Sequence, residues 1–251
     1  MRMRSPLLTL ATFSLIIALP IVPFALNGTP LLTDSWAHIS WAEGIASSGR
    51  YVIGADDSRW PLVNLLIAFV ATATGLRALQ SSVAVPLLAG IASVPFYCLL
   101  RRLALPRMPA LFAAFFLAFS PLYATVAFTG AVMKESATYC LVLSMALLAA
   151  APPSGKALSL PSVAAPLVAG AGIILGQHYA SLFTLLFLVA LSVFMTASSL
   201  RRGAPKTMPR RLLAVLAIYS VSVTGWNLGH FLAGGFNLAV PVFNPVDLTL
   251  I

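Results

Sequence analysis

Long apolar runs, separated by short loops that hold almost all of the charge, divide this chain from end to end. A run of about 20 apolar residues is long enough to cross the hydrocarbon core of a bilayer as a helix. Soluble domains carry about 25% charged residues, whereas this chain has 8% charged and 60% hydrophobic residues. A soluble fold is therefore excluded, and the sequence predicts an all-α polytopic membrane protein. The formal charge of +9 sits in loops between apolar stretches. There it reports orientation and contact with anionic lipid headgroups, and nucleic acid is not an expected partner.

The first run, residues 6–26, follows Arg2 and Arg4. It is long enough to span, and no clear small-residue cleavage site follows it, so it reads as a retained first helix and not a signal peptide. A polar loop then runs from Asn27 to about Pro61. The next apolar piece, Leu62–Leu76, is short and holds Asn64, Thr72 and Thr74. It suits an interfacial or re-entrant helix.

Arginine and lysine decide between two threadings. If Leu62–Leu76 does not cross, spans fall at about 6–26, 82–100, 109–127, 135–151, 162–177, 180–199 and 211–232. The cytoplasmic side then holds Arg2, Arg4, Arg101, Arg102, Arg107, Lys156, Arg201, Arg202, Lys206, Arg210 and Arg211, and no acid. If the segment crosses, Arg101-Arg102 and the 201–211 cluster are exported, against the positive-inside rule. The expected architecture is thus one transmembrane domain, 1–251, of about seven spans. An external loop with juxtamembrane or re-entrant helices occupies 27–80, a six-helix remainder 81–232, and an external tail 233–251. The N-terminus is expected in the cytoplasm and the C-terminus outside the cell membrane.

All six acids, Asp34, Glu43, Asp56, Asp57, Glu135 and Asp247, then face outward with Arg50, Arg59, Arg77 and Lys134. Four bases against six acids leave that side at −2. His38, His178 and His230 fall at or near the same surface, so any chemistry belongs there. Cys98 and Cys140 lie inside apolar stretches and suggest neither a disulfide nor a metal pair. No internal repeat supports an inverted-repeat transporter.

The first external loop is the densest polar region. Thr33 or Asp34 can cap a helix whose apolar side includes Trp36, Ile39 and Ala42, and Gly49 would end it. Asp34 and His38 are four apart and share a face. Trp36, Trp41, Tyr51 and Trp60 suit the headgroup level. Gly49-Arg50-Tyr51, Asp56-Asp57 and Trp60-Pro61 follow in order. With Arg101-Arg102, Ser120-Pro121 and Lys134-Glu135 downstream, this order resembles the GT-C superfamily of lipid-linked-sugar glycosyltransferases. That superfamily includes protein O-mannosyltransferases, oligosaccharyltransferase catalytic subunits and lipid A aminoarabinose transferases. The resemblance covers most of residues 1–200 as a pattern of spaced single residues. Asp34 lacks the second neighbouring acid of the mannosyltransferase branch. No Asp-x-Asp or Glu-x-Asp stands in the second outer loop, so no motif supports a bound divalent cation and the cofactor stays open. Family enzymes carry further spans, and the chain looks like their N-terminal helical module.

The resemblance implies sugar transfer from a polyprenyl-phosphate-linked donor to an acceptor on the extracytoplasmic side. Asp34 is the expected general base, with Glu135 as a second site carboxylate. Arg50, Arg59, Arg77 and Lys134 are the outer cations that could stabilise the departing phosphate. His38, Arg50, Arg59, Lys134 and His178 are the expected substrate-binding residues; His178 stands in the turn Gly176-Gln-His-Tyr179. Plain structural roles compete with each: a helix cap for Asp34, a dipole-favoured acid for Glu135, a hydrated turn for His178, headgroup contact for the cations. Partners are the sugar lipid and surrounding membrane lipids. The alternative function is a non-catalytic or truncated GT-C-like subunit acting with a larger membrane protein. A transporter ranks last, because the spans offer few polar groups at mid-membrane depth.

Overall fold

The computed structural model describes residues 4–31, 33–51, 61–117, 120–150, 160–202 and 207–232. Among these residues the structure is helical and holds no strand. The first apolar run forms α1 (Arg4–Ala18), a 3-10 turn (Leu19–Ile21) and α2 (Val22–Asn27). Pro20 and Pro23 stand second in the turn and in α2, within the first turn, where a proline's missing N–H is not needed. The polar segment after it contains α3 (Thr33–Ser48), followed by α4 (Leu62–Thr74). An apolar rod of α5 (Ala78–Ser81), α6 (Ala84–Ile91) and α7 (Ser93–Arg102) comes next. The remainder is α8 (Arg107–Leu117), α9 (Pro121–Thr129), α10 (Lys134–Ala149), α11 (Leu160–Gly176), α12 (His178–Arg202) and α13 (Thr207–Leu232).

Four segments are long and apolar enough to cross a membrane: Pro6–Asn27, Ala78–Arg102, Tyr179–Ser198 and Arg210–Gly229. They mark the chain as a membrane protein and fall on four of the seven expected spans. The other three are shorter as helices. The run expected at 109–127 is divided into α8 and α9, because Ser120 takes an extended backbone, accepts the Tyr123 N–H on its side chain and precedes Pro121. α10 has 16 residues and α11 has 17. At 1.5 Å per residue they reach about 24 and 26 Å, against a hydrocarbon core of about 30 Å. The 13 residues of α4 reach only about 20 Å.

α10 is the central element and packs against α11, α6, α7, α12 and α4. Its Met145, Ala146 and Ala149 meet Leu99 of α7, Ile173 of α11, Leu188 of α12 and Tyr219 of α13 in the largest core cluster. Its first turns join a second cluster through Ala137, with Ile39 of α3, Val63 and Ile67 of α4 and Val85 of α6. A third cluster gathers Ile16 of α1, Ala89 of α6, and Tyr123 and Val126 of α9. There the Tyr123 hydroxyl donates to the Ile16 carbonyl. Lipid tails are as apolar as these side chains, so close approach and hydrogen bonding hold the helices together in a bilayer. Gly90 makes the closest approach possible. A Cβ at that position would lie 2.7 Å from the Ile17 Cα and 2.8 Å from the Ile16 carbonyl oxygen.

Several arginines gather at the end of α10 remote from Glu135. Arg211 donates to the Leu148 carbonyl at 2.5 Å, Arg107 to Thr9 Oγ1 at 2.9 Å, and Arg101 to the Leu105 carbonyl at 2.6 Å. Arg102 is near enough to Arg211 for their charges to repel. Leu148 follows Glu135 by 13 positions, which is about 20 Å along the helix.

Candidate functional site

At the other end of the bundle, four chain segments converge on the first turn of α10. The connection from α9 to α10 runs extended through Met133, so Lys134 and Glu135 open the helix from a fixed point. Ser35, in the first turn of α3, accepts the Val132 N–H on its hydroxyl at 2.9 Å. Leu31, just before α3, donates its N–H to the Thr129 carbonyl at 2.9 Å. Together these bonds staple the start of α3 to the start of α10, although 97 residues separate Ser35 from Val132.

The turn between α11 and α12 closes the same end. Gln177 Nε2 donates to Glu135 Oε1 at 2.7 Å. Gly176 lets that turn sit against α10 and α4: a Cβ there would lie 2.8 Å from Thr138 Oγ1 and 3.0 Å from Leu62 Cδ2. The Thr138 hydroxyl is itself committed to the Lys134 carbonyl at 2.7 Å. Glu135 is half-buried at the mouth of a cavity of about 410 Å³ between α10 and α12, which Gln177, Tyr139, Val142 and Phe183 help to line.

His38 lies inside the α3–α4 contact, only 1% exposed. Its Nδ1 is 2.8 Å from Asn64 Oδ1, and its ring meets Trp41 edge-on at 5.7 Å. For a neutral ring this partner assigns the hydrogen to Nδ1 and leaves Nε2 an acceptor. His38 Nε2 and Asn64 Nδ2 are both buried without a hydrogen-bond partner, as is Ser136 Oγ in the first turn of α10. Each such group raises the energy of the fold by about 1–3 kcal/mol unless water or a ligand meets it.

The remaining expected residues separate into three groups. The backbone of Asp34 lies in the first turn of α3, beside Ser35, but its side chain is outside the described residues, as is that of His178 at the start of α12. Arg59, Asp56 and Asp57 are also outside them. Lys134 is half-buried beside Glu135. Arg50 is exposed beyond the far end of α3, a helix of 16 residues, about 24 Å from end to end. The helix therefore carries it away from the Glu135 mouth.

No family model, curated protein or solved structure matches the chain. Among the described residues no three of histidine, cysteine, aspartate and glutamate are grouped to hold a metal ion. The arrangement therefore has to be read from its chemistry alone. It offers a fixed carboxylate at a cavity mouth, an amide that orients it, and a buried imidazole–amide pair behind the adjoining helix. Two of these residues, Gln177 and Asn64, were not singled out by sequence as site residues. Gln177 was visible only as a neighbour of His178, and Asn64 only as a polar interruption in a short apolar helix.

Proposed function

We propose that the chain is a membrane glycosyltransferase module of the GT-C type, which moves a sugar from a polyprenyl-phosphate-linked donor to an acceptor on the extracytoplasmic side. The observation that supports this reading is the Ser35–Val132 bond, which holds the first turn of α3, where Asp34 lies, against the segment that leads into Glu135. Two carboxylate-bearing turns at one end of the bundle, with the arginine-rich ends at the other, suit a reaction at one membrane face. In this scheme Asp34 accepts the proton of the acceptor group as that group attacks the anomeric carbon. The bond to the lipid phosphate breaks, and Lys134 is the cation nearest to Glu135 in sequence that could balance the charge released. The matching topology has about seven spans, with the N-terminus in the cytoplasm and the C-terminus outside.

Sugar transfer from a polyprenyl-phosphate sugar in membranes holding the protein tests this. Asp34→Asn should lower the rate by roughly 10²–10⁴-fold, the usual worth of a general base, and Glu135→Gln should lower it less. Equal activity of wild type and Asp34→Asn would remove Asp34 from the role of base. Absence of transfer from every donor tried would remove the transferase reading.

A further inference from the structure

The cavity between α10 and α12 is polar at one end and apolar along its length. Glu135, Gln177 and Thr138 stand at its mouth, while Val142, Leu143 and Phe187 line the part that runs down the helices. Residues 135 to 143 of α10 extend about 12 Å along the helix axis, so the groove is a slot and not a surface dimple. Its volume of about 410 Å³ falls in the range of about 300–1,000 Å³ usual for sites that take small organic ligands. It opens sideways. Phe183 is 70% exposed and Tyr139 49% exposed on its rim, and Phe183 belongs to the apolar segment Tyr179–Ser198. An occupant would therefore enter from the lipid phase.

The chemistry of the mouth selects the head of that occupant. Gln177 spends one donor on Glu135 and so fixes the carboxylate in place. The hydroxyls of Thr138 and Thr184 already donate to the carbonyls of Lys134 and Ala180. Among the described lining residues Glu135 carries the formal charge, which disfavours a phosphate, while its oxygens, the second N–H of Gln177 and the Tyr139 hydroxyl suit a hydroxyl-bearing head.

We propose that this groove is the acceptor subsite, and that the acceptor is a lipid whose uncharged, hydroxyl-bearing headgroup hydrogen-bonds to Glu135 while its chain lies between α10 and α12. The acceptor role rests on the transferase reading above; occupancy of the groove is measurable without it.

The test uses the full chain in phosphatidylcholine nanodiscs and a monoacylglycerol with a diazirine midway along its chain. Photolabelling should concentrate on residues 138–143 and 179–187. Unlabelled monoacylglycerol should compete roughly tenfold better than lysophosphatidate of the same chain length, a preference of the size expected for one charge-assisted contact. Glu135→Gln should abolish that preference and Glu135→Lys should reverse it. Val142→Trp, which fills the groove, should remove the labelling; Ala180→Leu is a second filling variant in case tryptophan disturbs folding. Labels spread evenly over α1 and α13, equal competition by the phosphate lipid, or a cross-link between two copies through Phe183→Cys would each overturn the proposal. Sugar transfer to a water-soluble acceptor by the filled variants would remove the acceptor role and leave the transferase reading intact. Groove labelling in a protein that transfers no sugar would remove the transferase reading instead, and the acceptor role with it.

Discussion

His38 and Asn64 show what a single buried contact does in a bundle short of polar groups. Their 2.8 Å bond satisfies one atom on each side chain and leaves His38 Nε2 and Asn64 Nδ2 without partners. Replacing one member strands the other. Asn64→Leu should therefore lower stability by about 1–3 kcal/mol, the cost of a lost buried partner. The double variant His38→Phe/Asn64→Leu should regain much of the loss, because it removes all the stranded atoms together. Denaturant unfolding in detergent measures both. A double variant no more stable than Asn64→Leu would show that the imidazole contributes through something other than this bond. The sequence made His38 visible, four residues after Asp34, but not its direction. A helix of 16 residues with aromatic and small side chains on several faces does not declare which face turns inward. Gly49 was more legible, ending α3 with the left-handed backbone its chemistry allows, whereas Ser120, which caps α9, was expected inside an unbroken span.

At the scale of elements, the positions of apolar segments were readable and their lateral arrangement was not. Length and hydropathy find a segment that can lie in lipid, and four of them have helices of full length. The same apolar composition on every face hides which neighbour each helix will choose. Nothing in the run 134–149 announces that α10 will touch seven other helices. Small residues carry that information instead, since close approach needs them. Gly90 gives a direct test. A Cβ at 2.7 Å from the Ile17 Cα would meet backbone, which cannot rotate aside. Gly90→Ala should then separate α6 from α1 and lower stability by about 1–3 kcal/mol, the usual cost of overpacking. Thermal unfolding in detergent would register it as a lower midpoint. An unchanged midpoint would mean that α1 is held to the bundle elsewhere.

For the whole molecule, charge is distributed along the bundle axis. Arg211 and Arg102 stand by the end of α10, and Glu135 at its start. Under the proposed topology, an impermeant maleimide added outside intact cells should label Glu43→Cys and leave Arg102→Cys unlabelled. The background for both should lack Cys98 and Cys140. Labelling of Arg102→Cys alone would invert the orientation, and with it the face assigned to the reaction. This division of charge was plain in the sequence, because each loop is short enough for its arginines to count. The convergence of Ser35, Val132 and Gln177 was not, because it depends on contacts between segments far apart in the chain.

The packing of α6 on α1 also has a consequence in time. Residue 90 leaves the ribosome 73 residues after residue 17, and synthesis at about 5–20 residues per second makes that a wait of roughly 4–15 seconds. During that interval the backbone of Ile16 and Ile17, and the carbonyl that Tyr123 will later engage, have no partner from the rest of the bundle. The apolar side chains of Leu7, Leu10 and Leu15, exposed in the finished fold, let the first helix wait in lipid. Its packing onto the bundle therefore waits for the arrival of α6.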